Sequence, residues 1–80
     1  GLDDASLIEL FLWNEKEFDS RLAGSPIRRI GHERWLRNLS VGLGNAQPTV
    51  EIMVALKQRL NHPSELVREH VAWALNRQAL

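Results

Sequence analysis

Four arginines lie close together near the middle of the chain and form its clearest candidate for a binding surface. They are Arg28, Arg29, Arg34 and Arg37. A guanidinium group can donate to two phosphate oxygens in a fixed fork, so several of them along one edge suit a polyanion such as RNA. Exposed arginines are also common on solvated faces, where these four would pair with Glu33 and with acidic residues earlier in the chain. The residue types therefore leave two interpretations open, RNA contact and a solvated face.

The formal net charge is zero, but the charges are segregated along the sequence. Residues 1–20 contain six carboxylates and one lysine, whereas residues 21–37 contain five arginines and one glutamate. A polyanion responds to the local field of such a segment more than to the average charge of the protein. The distribution thus favours an anionic partner for the central segment.

Residues that ligate metals or perform acid–base chemistry are scattered. The histidines His32, His62 and His70 share no i, i+4 spacing, and the chain contains no cysteine. No Ser–His–Asp set, phosphate-cradling glycine loop or close carboxylate pair is present. On a helical wheel His32 falls within an apolar arc, which predicts a half-buried structural residue. We expect no metal, no cofactor and no active site in these residues.

The three tryptophans divide into two predicted core residues and one undecided residue. Trp13 follows an apolar helix and Trp35 lies in an apolar stripe, so both are expected to pack in the interior. Trp73 lies on a shoulder of the last helix, beside His70 and Arg77. It could cover the end of the fold or contact another surface.

Apolar spacing and helix-terminal residues predict an all-α fold of about five helices. The expected elements are a first helix from Asp3 or Asp4 to about Leu12, a second from Asn14 to Gly24, a central segment Ser25–Asn45 with a kink at Gly31 and its main helix from about His32, a fourth helix from Thr49 to Leu60, and a fifth from Glu65 to about Ala79. The first two should form an antiparallel hairpin, and the apolar first helix should be covered on most sides. No stretch alternates with period two, so no strands are expected.

Eighty residues form one small domain. No apolar run approaches the roughly 18 residues of a membrane span, so we expect a soluble, cytoplasmic monomer with no membrane contact.

An internal repeat is visible at an offset of 32 residues. It aligns Trp35, Leu39, Ser40, Gly42 and Leu43 with Val67, Val71, Ala72, Ala74 and Leu75. A helix pair recurring every 30–40 residues or so is typical of HEAT-like stacks. In this alignment Gly42 faces Ala74, which predicts that Gly42 marks a close approach of two helices.

In the fourth helix Arg59 is expected to point into water.

The segment GSPIRRIGHERWLRNLSVGLGNA, with SELVREHVAWAL further along, resembles the C-terminal region of the epoxyqueuosine reductase family. The resemblance extends from about Leu7 to Leu75. In that family the region is a HEAT-like repeat domain that follows a cobalamin-binding domain and a ferredoxin-like domain with iron–sulfur clusters. The resemblance implies that residues 1–80 are a single HEAT-like domain, excised from the C-terminal end of a longer enzyme.

The resemblance also implies a function in tRNA queuosine modification. The domain would dock the anticodon stem-loop of tRNA through Arg28, Arg29, Arg34 and Arg37, while upstream domains of the same polypeptide reduce epoxyqueuosine. Cobalamin and 4Fe-4S clusters would belong to those upstream domains, because this chain has no cysteine. Two alternatives remain: a scaffold for protein or intramolecular contacts without RNA, and a DNA-binding surface like that of HEAT-like repair enzymes.

Overall fold

The structure is a computed structural model and describes residues 3–79. Its elements are α1 (Asp4–Leu12), α2 (Glu15–Arg21), the short 3-10 helix η1 (Pro26–Ile30), α3 (Gly31–Asn45), α4 (Val50–Lys57) and α5 (Glu65–Gln78). The predicted all-α fold with five α-helices is confirmed, and residues 3–79 contain no strand.

Side-chain caps fix where most helices begin. The caps of α1, α2, α4 and α5 are Asp3, Asn14, Thr49 and Ser64, each of which accepts a hydrogen bond from a backbone N–H in the first turn. In α2 the Glu17 carboxylate also accepts from the Asn14 backbone N–H, which completes a capping box. Such caps satisfy N–H groups that have no partner inside the helix.

The kink predicted in the central segment is present at Gly31. Ser25 caps η1 and Pro26 occupies its first turn. Gly31 then ends η1 and begins α3 with φ of +83°, a backbone conformation that side chains with a Cβ rarely adopt. The arginines of η1 and those of α3 therefore lie on two differently directed segments.

Four helices form a closed ring of contacts in the order α1, α3, α5 and α4. The predicted α1–α2 hairpin is wrong, because α1 packs mainly on α3 and α4 while α2 lies on α3. The reason is that the two phenylalanines enter different places: Phe11 is fully buried in the main core, and Phe18 packs on His32 and Trp35. Trp35 also stacks on Trp13, so both residues have the predicted packing role.

The main core lies inside this ring of helices. It consists of Phe11, Leu36, Leu39, Leu43, Ile52, Ala55, Leu56, Val67, Val71 and Ala74. Burial corrects the predicted repeat by one residue. An offset of 31 pairs buried residues with buried residues (Leu36 with Val67, Ser40 with Val71, Leu43 with Ala74), whereas the predicted offset of 32 pairs two half-buried residues with buried ones. The corrected register also aligns Arg37 with Arg68.

The close approach of α3 and α5 occurs at Gly44. A Cβ at this position would lie 3.0 Å from Ala74 Cα and 2.7 Å from Trp73 Cζ3. The predicted position, Gly42, is wrong, since a Cβ there would meet no atom within 4 Å. Gly42 is half-buried, whereas Gly44 lies on the buried face turned toward α5. The alignment of the repeat did not predict this contact, because it depends on which face of α3 meets α5.

A buried glutamine joins the ends of three helices. The Gln78 side chain donates to the carbonyl oxygens of Leu43 and Ala46 at 2.9 and 3.0 Å, and its Oε1 accepts from the Thr49 backbone N–H at 3.1 Å. Gln78 is only 3% exposed. It therefore satisfies the end of α3 and the turn before α4 from its position at the end of α5.

Replacing Gly44 by alanine should destabilise the protein. The new methyl group would overlap the Ala74 backbone, so we expect Gly44→Ala to lower the free energy of unfolding by about 1–3 kcal/mol. Gly42→Ala is the matched control on the same helix and should stabilise by about 0.5–1 kcal/mol, because no neighbour opposes the added methyl. Urea unfolding followed by circular dichroism measures both; equal effects of the two substitutions would contradict this assignment.

Gln78→Leu should cost at least about 2 kcal/mol of unfolding free energy, because it leaves buried backbone groups without partners. The control is Gln58→Leu, at an exposed position just after α4, which should change stability by no more than about 0.5 kcal/mol. Urea unfolding again provides the comparison. A Gln78→Leu protein as stable as its control would show that the three hydrogen bonds contribute little.

Candidate nucleic-acid interface

The arginines of η1 lie beside α2. Arg28 and Arg29 are both exposed and line one concavity together with Asp19, Gly24, Ser25 and Pro26. The Arg28 Nε donates to Asp19 Oδ1 at 3.4 Å, and both side chains are about half exposed. An ion pair this exposed contributes little stability, so it can open to admit a phosphate at low cost.

The arginines of α3 are exposed one helical turn apart. Arg34 makes no hydrogen bond or ion pair with any residue in the range 3–79. Arg37 donates to His70 Nε2 at 3.4 Å and to Asn38 Oδ1 at 3.1 Å. Glu33 accepts a hydrogen bond from the Ser64 hydroxyl rather than pairing with an arginine. On a solvated face the four arginines were expected to pair with Glu33 and with acidic residues earlier in the chain. Within residues 3–79 the structure contains one such pair, between Arg28 and Asp19.

The four arginines spread across α3 instead of converging on one point. Trp35 packs on Phe18 of α2, whereas Gly44 meets α5, and these positions lie on opposite sides of the α3 axis. Arg28 reaches toward α2 and Arg37 toward α5, with Arg34 on the solvent side between them. The result is an exposed basic band over η1 and the first half of α3. Such a band suits successive phosphates of a strand better than one isolated anion.

Arg59 is not part of any exposed basic surface. The prediction that it points into water is wrong: its Nη2 donates to the carbonyl oxygens of Phe11 and Trp13 at 3.3 and 3.0 Å. Burial lowers the pKa of Arg59, an effect that the nearby Glu17 carboxylate opposes. Arg59 therefore fastens the end of α1 to the end of α4. Because the hydrogen bond from Arg59 to Trp13 joins residues that are 46 positions apart, the local spacing of apolar residues could not predict it.

Two histidines lie near Arg59 in a polar cleft, and both have structural partners. The His32 ring is 8% exposed and its Nε2 donates to the Trp13 carbonyl oxygen at 2.9 Å, which confirms the expected structural role. His62 Nδ1 accepts from the Ser64 backbone N–H at 3.0 Å. Burial lowers the pKa of His62, and the positive charge of Arg59 lowers it further, so the neutral ring is favoured. Residues 3–79 contain no group of three or more side chains that could hold a metal ion.

An exposed apolar surface, which we call the apolar strip, lies along α1 and α4. It consists of Leu12, Val50 and Val54, which are 42%, 72% and 52% exposed. They line one groove together with Ile8, Glu51, Ala55 and Gln58. The prediction that α1 is covered on most sides is therefore wrong for Leu12, because α2 packs on α3 instead. No helix among the described residues is long and apolar enough to cross a membrane.

The chain is similar to several proteins named epoxyqueuosine reductase. It is 66% identical over 77 residues to the one from Pseudomonas aeruginosa, which aligns 96% of this chain with 21% of that protein. The corresponding values are 57% over 79 residues (99% and 22%) for Xanthomonas campestris pv. campestris, and 53% over 73 residues (90% and 19%) for Escherichia coli K12. No family model and no solved structure matches the chain.

The chain thus spans about a fifth of the length of these relatives. At more than half identity over nearly all of its residues, the alignment leaves no doubt of common ancestry. The resemblance identified from the central and last segments is confirmed: the chain corresponds to one segment of the proteins named epoxyqueuosine reductase.

Proposed function

We propose that this domain docks the anticodon stem-loop of tRNA for an epoxyqueuosine reductase, an oxidoreductase of queuosine modification. The basic band of Arg28, Arg29, Arg34 and Arg37 would contact phosphates of the stem-loop. Upstream domains of the same polypeptide would hold the substrate nucleotide and reduce it. The expected setting is cytoplasmic, with this domain as a HEAT-like C-terminal module that does not itself form dimers.

The observation that carries the proposal is the exposure of all four arginines on η1 and the first half of α3. Arg29 and Arg34 form no ion pair or hydrogen bond within residues 3–79, and Arg28 has one exposed carboxylate partner. Because exposed ion pairs contribute little stability, Arg29 and Arg34 are available to an external anion, and Arg28 can become so at low cost. Available guanidinium groups are what a phosphate backbone requires.

The chemistry of reduction belongs to other parts of the enzyme. The resemblance implies cobalamin and 4Fe-4S clusters in the parent protein. Clusters of this type are held by cysteine thiolates, and the chain contains none. These residues do not fit such a cluster, and we assign no step of the reduction to them.

The apolar strip supports a second function, docking on the remainder of the same polypeptide. Val50 is 72% exposed, and three large apolar side chains in one groove favour contact with another protein surface. This scaffold function occupies α1 and α4, whereas the basic band lies on η1 and α3. The two functions are compatible, and the scaffold alone becomes the better account if no RNA binds.

Salt-dependent binding tests the docking function. Fluorescence anisotropy of a labelled anticodon stem-loop should give a plot of log K against log salt with a slope between about −2 and −4, as expected for three or four phosphate contacts. Exchanging Arg29 and Arg34 together for glutamine should flatten the slope by about 1.5, since two contacts are lost. Both side chains lack hydrogen-bond partners in the described structure, so the fold should be unaffected.

The matched control exchanges Lys16 and Lys57, two exposed cations on α2 and α4, for glutamine. It removes the same charge and should leave the slope nearly unchanged. If both double variants lost affinity equally, the binding would depend only on diffuse charge, and the assignment of the site to the basic band would be refuted. Equal competition by duplex DNA would favour the DNA-binding alternative, and absence of any binding at low salt would leave the scaffold function.

A further inference from the structure

A second surface, the tryptophan groove, lies between α3 and α5 on the solvent side. Val41 and Asn45 of α3 line it, together with Glu69, His70 and Trp73 of α5. Trp73 is 40% exposed, although it is among the largest apolar side chains of the domain. Trp73 belongs neither to the main core nor to the basic band.

The Trp73 ring is held in place. A Cβ added to Gly44 would lie 2.7 Å from the Trp73 Cζ3 atom, so the edge of the ring packs directly on the α3 backbone. The Arg77 guanidinium lies 5.6 Å from the ring centroid. Trp73 itself lines the groove and is partly exposed, so some of its surface is open to a ligand. A ring fixed in this way can stack on a ligand without a large loss of side-chain entropy.

Guanidinium groups flank both ends of the groove. At one end Arg37 donates to His70 Nε2 at 3.4 Å. His70 Nδ1 lies 2.8 Å from the Leu66 carbonyl oxygen and must donate to it, which leaves Nε2 as the acceptor and fixes the ring. At the other end Arg77 donates to Asn45 Oδ1 at 3.1 Å. The groove therefore combines two immobilised rings with one cation at each end.

We propose that the tryptophan groove binds one unpaired nucleobase of RNA. The base would stack on Trp73, with the flanking phosphates close to Arg37 and Arg77 and the Asn45 amide facing the base edge. Stacking on an aromatic ring beside cations is the general mode by which proteins hold single-stranded nucleic acid. This inference rests on the proposed function for the class of ligand and adds a position at which the strand is unpaired.

The charge around the groove favours a nucleotide over a protein surface. Two residues that line the tryptophan groove, His70 and Asn45, each accept a hydrogen bond from a guanidinium group, whereas within residues 3–79 no residue of the groove at the apolar strip does so. Glu69 is the one carboxylate that lines the groove, and it opposes a phosphate. Glu69→Gln should therefore tighten RNA binding, an effect opposite in sign to that of a lost structural contact.

The experiment titrates the full chain with the stem-loop and with a single-stranded heptanucleotide that carries 2-aminopurine. We expect quenching of 2-aminopurine fluorescence by the wild-type protein. Trp73→Leu should remove this quenching and weaken binding by about 5- to 100-fold, while Trp73→Phe should retain most of the affinity. The salt slope should be the same in all three proteins, since no charge changes. Thermal unfolding by circular dichroism checks that each variant folds.

Three results would overturn the groove assignment. The first is wild-type binding without quenching, which needs no variant and so does not depend on the fold of Trp73→Leu. The second is unchanged affinity of Trp73→Leu while the Arg29, Arg34 double variant loses its salt slope; the docking function would then stand without the groove. The third is a Trp73→Leu protein that keeps its RNA affinity but changes its sedimentation behaviour, which would make the groove a protein contact. Absence of all RNA binding would refute both proposals together.

Discussion

The close packing of α3 on α5 at Gly44 is the constraint on which the rest of this domain depends. Because Gly44 has no side chain, Ala74 can approach the α3 backbone, and the two helices close the largest interface of the fold. The same approach seats Trp73 against α3, aligns His70 with Arg37, and brings Gln78 within reach of the end of α3. One small residue thus fixes both the core and the arrangement of side chains on the surface above it.

The domain separates its surfaces by chemistry. The basic band lies on η1 and α3, the tryptophan groove follows it toward α5, and the apolar strip occupies α1 and α4. Polar atoms that could have carried chemistry are engaged elsewhere: Arg59 holds the end of α1, and His32 and His62 bond to backbone groups. This division suits a domain that holds a ligand with one side and contacts protein with another.

The sequence predicted local features well because they depend on residues close together in the chain. The caps at Asp3, Asn14 and Ser64 and the kink at Gly31 follow from side-chain chemistry within a few residues. Contacts between distant segments were predicted poorly. The partner of α1, the inward course of Arg59 and the bonds of Gln78 depend on which helices meet, and helical periodicity alone does not determine this.

The shift from Gly42 to Gly44 shows the limit most clearly. Both glycines lie in the same helix, and only the direction from which α5 approaches distinguishes them. The four arginines are exposed: Arg34 and Arg37 lie outside the buried face of α3, and Arg28 and Arg29 lie in η1, which has no buried residue. That these arginines extend from the side of α2 to the side of α5 could be learned only from the structure.

The central claim is that RNA lies on the basic band, and a nuclear magnetic resonance titration of the chain with an anticodon stem-loop at low salt tests it most directly. We expect shift changes at backbone amides of residues 27–38 and at the Arg29 and Arg34 side chains, with α4 unaffected. Shifts confined to α1 and α4, or no shifts at all, would contradict the account.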